Sequence, residues 1–143
     1  EICACLVGSE MCIRDRKKAE RWQTIALGAA KQSKRMQIPT VHMPVTFQQA
    51  LAMIAESDVR LMPYENAEGM EGTRKILESI EPGESIAILI GPEGGIDEAE
   101  VEMAMKAKVE PITLGKRILR TETAGMTVLS ILVYLLEGRE RTR

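Results

Sequence analysis

The stretch that decides the fold of this chain is Ile86-Ala87-Ile88-Leu89-Ile90-Gly91-Pro92-Glu93-Gly94-Gly95. Its first half is an unbroken apolar run, which is typical of a strand buried on both faces of a parallel α/β sheet. Its second half is a glycine-rich turn, in which backbone amides can approach a ligand closely. A helix is predicted to begin at about Asp97, because Asp97 and Glu100 match a capping box. Strand, turn and helix together predict a ligand site at the carboxyl edge of a sheet.

A second unit of the same kind follows along the chain. Pro111 to Leu114 is predicted to be a short strand, Gly115 ends it, and a helix is predicted to begin near Thr121. One face of that helix carries apolar residues at helical spacing, namely Met126, Leu129, Val133 and Leu136. The loop before the helix holds more charge than a structural loop needs, in Lys116, Arg117, Arg120 and Glu122. This loop is therefore a second candidate for a binding or catalytic role.

The remaining elements are predicted from the same patterns. Helices are expected over residues 17–36, 47–55, 73–80 and 97–107, and a further strand over Val59 to Pro63. Thr46 is placed to cap the second of these helices. In the fourth, residues spaced four apart are predicted to point inward, namely Ala99, Met103 and Ala107. Glu65-Asn66-Ala67 follows the strand at its carboxyl end and so belongs to the same ligand edge.

The composition is that of a globular protein with a single domain. The chain has 143 residues, of which 45% are apolar and 28% charged, and this suffices for a buried core. No apolar run reaches the roughly 18 residues of a membrane span, so no membrane association is expected. The net charge is −2, but bases cluster at residues 14–18, 31–35, 116–120 and 139–143. Such clusters either form an RNA-facing patch or only solvate the surface.

All three cysteines, Cys3, Cys5 and Cys12, lie near the start of the chain. Their spacing matches no zinc pattern, and no second pair of ligands is present to complete one, so no metal site is predicted. Residues 1–15, which contain them, show neither a helical nor a strand period. We expect these residues to be a non-native or disordered leader.

Two motifs in order, Ile90-Gly91-Pro92-Glu93-Gly94-Gly95 and Leu114-Gly115-Lys116-Arg117-Ile118-Leu119-Arg120-Thr121-Glu122-Thr123-Ala124, resemble the RsmE family of 16S ribosomal RNA methyltransferases. These enzymes modify uridine at N3 and belong to the SPOUT superfamily. The resemblance also includes residues 18–25, 29–35 and 38–39. It implies an α/β fold with a parallel sheet, flanking helices and a C-terminal trefoil knot. Knots are so rare that only the resemblance supports predicting one.

The resemblance has a consequence for domain organisation. Members of the family carry an N-terminal PUA-like RNA-binding domain, and their methyltransferase domain opens with a strand, a helix and another strand. We expect the PUA-like domain and this opening part to be absent. Residues 16–143 are then a partial SPOUT methyltransferase domain, with one sheet edge left unpaired or open to another partner.

The resemblance also assigns roles to residues. The methyl donor S-adenosylmethionine is expected in a pocket formed by Met62, Pro63, Ile90, Gly91, Pro92, Glu93, Gly94, Leu114, Gly115, Ile118, Leu119, Arg120, Thr123 and Ala124. Uridine N3 must lose a proton, and Arg120 is the candidate to stabilise the uracil anion or a flanking phosphate. Glu122 is the candidate to orient Arg120 or to relay the proton. Alternatively the two residues form a structural pair, or Glu122 caps the last helix.

The implied partners are 16S rRNA in the small ribosomal subunit and a second copy of the chain, in the cytoplasm, with the knot and last helix at the dimer interface. Three other functions remain open from the sequence. One is a SPOUT methyltransferase of tRNA ribose. Another is a nucleotide- or phosphate-binding module built on Gly91 to Gly95, although this loop lacks the lysine and Ser/Thr of a P-loop. The last is an inactive fragment that dimerises or binds RNA weakly.

Overall fold

The computed structural model describes residues 3–4, 13–65, 67 and 69–140. The chain divides into two compact units, Glu1–Met53 and Ile54–Arg143. In chain order the elements are β1 (Cys3–Ala4), α1 (Ile13–Gln32), β2 (Thr40–Val41), α2 (Phe47–Ile54), β3 (Val59–Pro63), α3 (Met70–Ser79), β4 (Ile86–Ile88), α4 (Glu98–Lys106), β5 (Glu110–Ile112) and α5 (Thr121–Glu140). The prediction of an α/β fold with a parallel sheet and flanking helices is confirmed.

The first unit is a short strand–helix–strand followed by α2, so the predicted absence of an opening strand–helix–strand is not confirmed. Strands β1 and β2 are parallel, with Cys3 opposite Thr40. Helix α1 begins at Ile13, inside the stretch expected to be a leader, while residues 1–2 and 5–12 of that stretch lie outside the described residues. The origin of residues 1–15 stays a prediction.

Local capping explains where the helices of the first unit end and begin. Helix α1 ends at Gln32 and not at Met36 as predicted, because Lys34 takes a φ of 55°. The amide of Arg35 then donates to the carbonyl of Ala30 at 2.9 Å, which closes the helix as in a Schellman motif. The predicted cap of α2 is confirmed, since Thr46 and Gln49 exchange side-chain-to-amide hydrogen bonds of 3.2 and 3.0 Å.

The second unit is built on a parallel sheet with strand order β4-β3-β5. Strand β3 has the predicted bounds, and it pairs Leu61 with Ile88 on one side and with Glu110 on the other. The prediction that the strand starting at Ile86 is buried on both faces is wrong, because residues 86–90 are only half-buried. The reason is the strand order, which leaves β4 at an edge of the described sheet with β3 as its one neighbour.

A polar contact fixes the start of β3 against the start of β4. The Asp58 carboxylate accepts hydrogen bonds from the Ser85 amide at 2.8 Å and from the Ser85 hydroxyl at 2.6 Å. The Asp58 amide donates to the Ser85 hydroxyl oxygen at 3.0 Å. The hydrogen bonds from Ser85 lower the pKa of Asp58 below its ordinary value, because they stabilise the carboxylate. This contact sets the register of the two strands.

The core of this unit lies between one face of the sheet and helices α3 and α5. Its buried members are Leu61, Leu77, Ile80, Ile112, Val128 and Leu132. Truncating one of the large members to alanine is expected to cost roughly 2–5 kcal/mol of unfolding free energy. Because α5 contributes to this core, the bend that precedes α5 is held against the sheet.

Two further helix predictions, for α3 and α4, need correction. Helix α3 begins at Met70, three residues before the predicted start, after Gly69 with a φ of 41°. Helix α4 buries Val101 and Ala104, whereas Ala99 is exposed, since it lies about 200° round the helix from Val101. Helix α5 buries Ala124, Val128 and Leu132, whereas Met126, Leu129 and Val133 are 62%, 46% and 50% exposed. No described helix combines the length and apolarity of a membrane span.

Candidate functional site

Three loops leave the sheet of the second unit at one edge. Strands β3, β4 and β5 are mutually parallel, so the segments that follow them, residues 64–69, 89–97 and 113–120, all start at their carboxyl ends. Strand β3 lies between the other two, and neighbouring strands are about 4.8 Å apart. The segments after β4 and β5 therefore flank the segment after β3. In open α/β sheets this edge is where ligands bind.

The segment after β4 is a tight turn with free backbone amides. The Gly95 amide donates to the Pro92 carbonyl at 2.9 Å, and Gly95 has a φ of 83°. The amides of Gly91, Glu93 and Gly94 have no hydrogen-bond partner among the described residues. The turn therefore offers donors to a ligand.

Two side chains hold this turn. A Cβ atom at Gly91 would lie 2.5 Å from Cγ1 of Ile96, so Ile96 fills the space that any other residue at this position would need. Asp97 caps α4 as predicted, with its carboxylate accepting from the Ala99 amide at 3.0 Å. No hydrogen bond from Glu100 back to Asp97 occurs among the described residues, so the cap is one-sided. The turn is thus braced on both sides.

The segment after β5 bends sharply at Gly115, which has a φ of 114°. Lys116, Arg117 and Arg120 are exposed on this bend, and Ile118 between them is 82% exposed. The Arg120 carbonyl accepts from the Ala124 amide at 2.8 Å, which starts α5 at Thr121 as predicted. A loop with three exposed cations favours anionic ligands.

The two bends approach each other through the first turns of α5. A Cβ atom at Gly125 would lie 3.9 Å from Cγ1 of Ile90, the residue that leads into the glycine turn. The bend around Gly115 and the turn around Gly95 therefore start at the same end of the sheet, and the first turns of α5, which follow the bend, lie against the residue that leads into the turn.

The predicted site residues separate into three groups. Half-buried at the edge are Pro63, Ile90, Gly91, Leu114, Gly115, Leu119 and Thr123, and exposed in the loops are Pro92, Glu93, Gly94, Ile118 and Arg120. Met62 and Ala124 are buried, so their side chains support the edge. Asn66, in the segment after β3, lies outside the described residues.

The candidate catalytic residues Arg120 and Glu122 are both exposed. Neither makes an ion pair or a side-chain hydrogen bond with another described residue. The alternative of a structural Arg120–Glu122 pair therefore finds no support in the described contacts. Their side chains are available to a ligand at the edge.

Two residues that support the site were not predicted from the sequence. Ile96 sits beneath Gly91, and Thr73 in α3 accepts a hydrogen bond from the Thr113 amide. An apolar residue after a glycine turn and a threonine in a helix are both commonplace, so no local signal marks them. Among the described residues no three His, Cys, Asp or Glu side chains are placed to hold a metal ion.

Residues 4–133 match the protein family described as RNA methyltransferase domain. A similar protein is Ribosomal RNA small subunit methyltransferase E of Bacillus subtilis (strain 168), which is 40% identical over 125 residues. The protein of the same name from Mesomycoplasma hyopneumoniae (strain 232) is 37% identical over 114 residues. These matches cover 85% and 80% of this chain and 49% and 48% of the relatives, so the chain spans about half the length of the curated relatives it matches.

A similar solved structure is that of Ribosomal RNA small subunit methyltransferase E from Neisseria gonorrhoeae bound to S-adenosyl methionine. Its TM-score is 0.75 and its sequence is 36% identical. The match covers 94% of this chain and 55% of that one.

Proposed function

The chain belongs to the RNA methyltransferase domain family, as the resemblance of its two motifs predicted, and on that premise we propose that it transfers a methyl group from S-adenosylmethionine to N3 of a uridine in 16S rRNA. The observation that supports this proposal is that the Gly91–Gly95 turn and the bend at residues 115–120 start at the same edge of the sheet, with Gly125 of α5 next to Ile90. Further support is that the similar Neisseria gonorrhoeae protein has S-adenosyl methionine bound.

We assign the donor to the space between these two loops. The unpartnered amides of Gly91, Glu93 and Gly94 are suited to hydrogen-bond its polar atoms. Half-buried Leu114 and Leu119 supply apolar contact on the opposite side. Ile118 is so exposed that it contacts the donor only if the bend closes over the ligand. Met62 and Ala124 support the pocket walls from beneath.

The donor supplies a methyl group already activated by its sulfonium, so the protein has to align the reactants and favour the deprotonated acceptor. Arg120, exposed at the end of the bend and without an ion-pair partner, is placed to stabilise the uracil anion or a flanking phosphate. Glu122, the second residue of α5, orients Arg120 or takes the N3 proton. No metal is needed for this chemistry.

We further propose that the chain is knotted. Thr73 in α3 hydrogen-bonds Thr113 beside β5, yet the chain that leaves α3 returns to β4 on the other side of β3. Helix α5, which follows β5, comes back to Ile90 at the end of β4. Because knots are rare, the resemblance to the family is the main support for this proposal.

A second copy of the chain is proposed to cover the exposed face of α5. Met126, Leu129 and Val133 lie on this face, and Tyr134 beside them is also exposed. Apolar residues that recur on one helix face are typical of a helix that packs against a partner. The proposed dimer would act in the cytoplasm on small ribosomal subunits.

The first test is isothermal titration with S-adenosylmethionine, with ATP as the comparison. Micromolar binding of S-adenosylmethionine supports the proposal, and a preference for ATP would replace it with a nucleotide-binding module. The second test is methylation of purified small subunits, with the modified nucleotide mapped. Transfer to uridine N3 supports the proposal. Transfer to a tRNA ribose would reassign the substrate, and donor binding without transfer to either RNA would mean that the chain is inactive by itself.

A further inference from the structure

The hydrogen bonds around Thr113 connect helix α3 to the bend at Gly115. The backbone ladder between β3 and β5 ends where the Tyr64 amide donates to the Ile112 carbonyl at 2.9 Å. The amide of Thr113, the residue after β5, donates to the hydroxyl oxygen of Thr73 at 2.8 Å. A side chain from α3 thus binds the backbone directly after β5.

The side chain of Thr113 extends this connection to the bend at Gly115. The Gly115 amide donates to the Thr113 hydroxyl oxygen at 3.3 Å, and this hydroxyl is also 3.3 Å from the Gly115 carbonyl oxygen. Gly115 has a φ of 114°, which glycine alone adopts readily. The bend therefore begins from a backbone position that Thr73 fixes through Thr113.

The burial of Thr73 limits competition for its hydrogen bond. Thr73 is 4% exposed and is the buried polar residue of the described core, so bulk water competes little for its hydroxyl. Leu114, the residue between Thr113 and Gly115, packs against the hydrophobic core cluster. Beyond Gly115 the exposed residues begin, namely Lys116, Arg117 and Ile118. The contact is the last anchor before the exposed part of the loop.

We propose that Thr73 is a positioning residue for the donor site, which acts through Thr113 on the bend at residues 115–120. This inference rests on the proposed function, because it takes that bend as one wall of the donor pocket. The segment after β3 leads directly into α3, so the contact also ties the first of the three loops to the third. Preorganised loops bind a ligand more tightly, since less ordering entropy is lost on binding.

The test uses the full chain with Thr73→Val, which keeps the side-chain shape and removes the hydroxyl. We expect the dissociation constant for S-adenosylmethionine to rise about fivefold to tenfold, as the loss of one neutral hydrogen bond predicts. Thr73→Ser, which keeps the hydroxyl, is expected to restore the affinity to within about twofold. Ser79→Ala in the same helix is the control, because its exposed hydroxyl bonds the Ile76 carbonyl.

Amide hydrogen exchange followed by NMR supplies a readout that does not depend on the donor. In Thr73→Val the Thr113 amide is expected to exchange faster, whereas the Leu89 amide, which bonds the Leu61 carbonyl at 2.8 Å, keeps its rate. Thr113→Val removes the second step and is expected to weaken donor binding with the Thr113 amide still protected. If Thr73→Val does not fold, Thr113→Val tests the positioning role in its place.

The outcomes separate the two proposals. If the wild-type chain binds the donor and both valine variants bind it equally well, the positioning role is wrong and the proposed function stands. If Thr73→Ser is as weak as Thr73→Val, the retained hydroxyl does not restore donor binding, and the inference is overturned. If the wild-type chain binds no donor, both proposals fail, while the exchange rates still report whether Thr73 holds Thr113.

Discussion

Gly125 in helix α5 faces Ile90 at the end of β4, so closely that an added methyl group would lie 3.9 Å from Cγ1 of Ile90. Ile90 opens the first family motif, and Gly125 directly follows the second. The approach leaves room for a methyl group in ordinary van der Waals contact, and the first prediction tests what a larger side chain does there.

Replacement of Gly125 by leucine is expected to push α5 away from Ile90 and to weaken donor binding at least tenfold, because the two loops then separate. Gly125→Ala is the matched control. It is expected to bind normally and to gain up to about 1 kcal/mol of stability, since alanine favours a helix interior. Titration with S-adenosylmethionine and thermal melting measure both effects, and equal affinity for the two variants would contradict the role given to this contact.

At Gly91 even an added methyl group is too large for the space beside Ile96. Gly91→Ala is expected to force Ile96 out of place, with a cost of about 1–3 kcal/mol in stability and loss of donor affinity. The control is Gly28→Ala in α1, where no atom of the described residues beyond the helix's own nearby backbone lies within 4 Å of the new methyl group. Chemical denaturation compares the two, and a Gly91→Ala chain as stable as Gly28→Ala would show that the turn adapts.

Arg120→Ala tests the catalytic assignment. We expect donor binding to stay within about twofold and methylation to fall about 10²–10³-fold, the usual effect of removing a group that stabilises a developing anion. Arg120→Lys keeps the charge without the planar guanidinium and is expected to retain part of the activity. Single-turnover methylation gives the rates, and unchanged turnover in Arg120→Ala would remove this residue from the mechanism.

The Asp58–Ser85 contact predicts a pH dependence of stability. Hydrogen bonds from Ser85 lower the pKa of Asp58 in the folded chain below 3.8, so the contact stabilises the fold above that pH and is lost as the pH falls through the lowered value. Asp58→Asn is therefore expected to be less stable than wild type at neutral pH, with the difference shrinking in acid. Melting temperatures of both chains from neutral to acid pH test this prediction. A difference in melting temperature that stays constant with pH would show that the carboxylate charge is irrelevant.

The proposed dimer is tested on the exposed face of α5. Leu129→Glu combined with Val133→Glu is expected to give a monomer in sedimentation velocity, because the charges would be buried at the interface. Met105→Glu, an equally exposed apolar position on α4, is the control and should leave the assembly unchanged. A dimer that survives the double substitution would place the interface elsewhere. A monomeric wild-type chain would exclude the proposed dimer.

The sequence by itself determined those features whose causes lie within a few residues. The bounds of β3, the caps at Thr46 and Asp97 and the start of α5 at Thr121 follow from local hydrogen bonding and apolar periodicity, and the structure has them as predicted. The two loop motifs were also identifiable, because glycine and clustered charge stand out in the sequence itself.

Only the tertiary structure decided which faces are buried and which distant residues meet. Helix α5 is apolar on nearly every side, so periodicity alone does not choose Val128 over Leu129, and the packing against Leu61 makes the choice. The half-burial of β4 depends on the strand order, which places β3 between β4 and β5. Thr73 and Thr113 are 40 residues apart, and only the fold brings one hydroxyl to one amide. Long-range packing sets these relationships, and no local pattern records them.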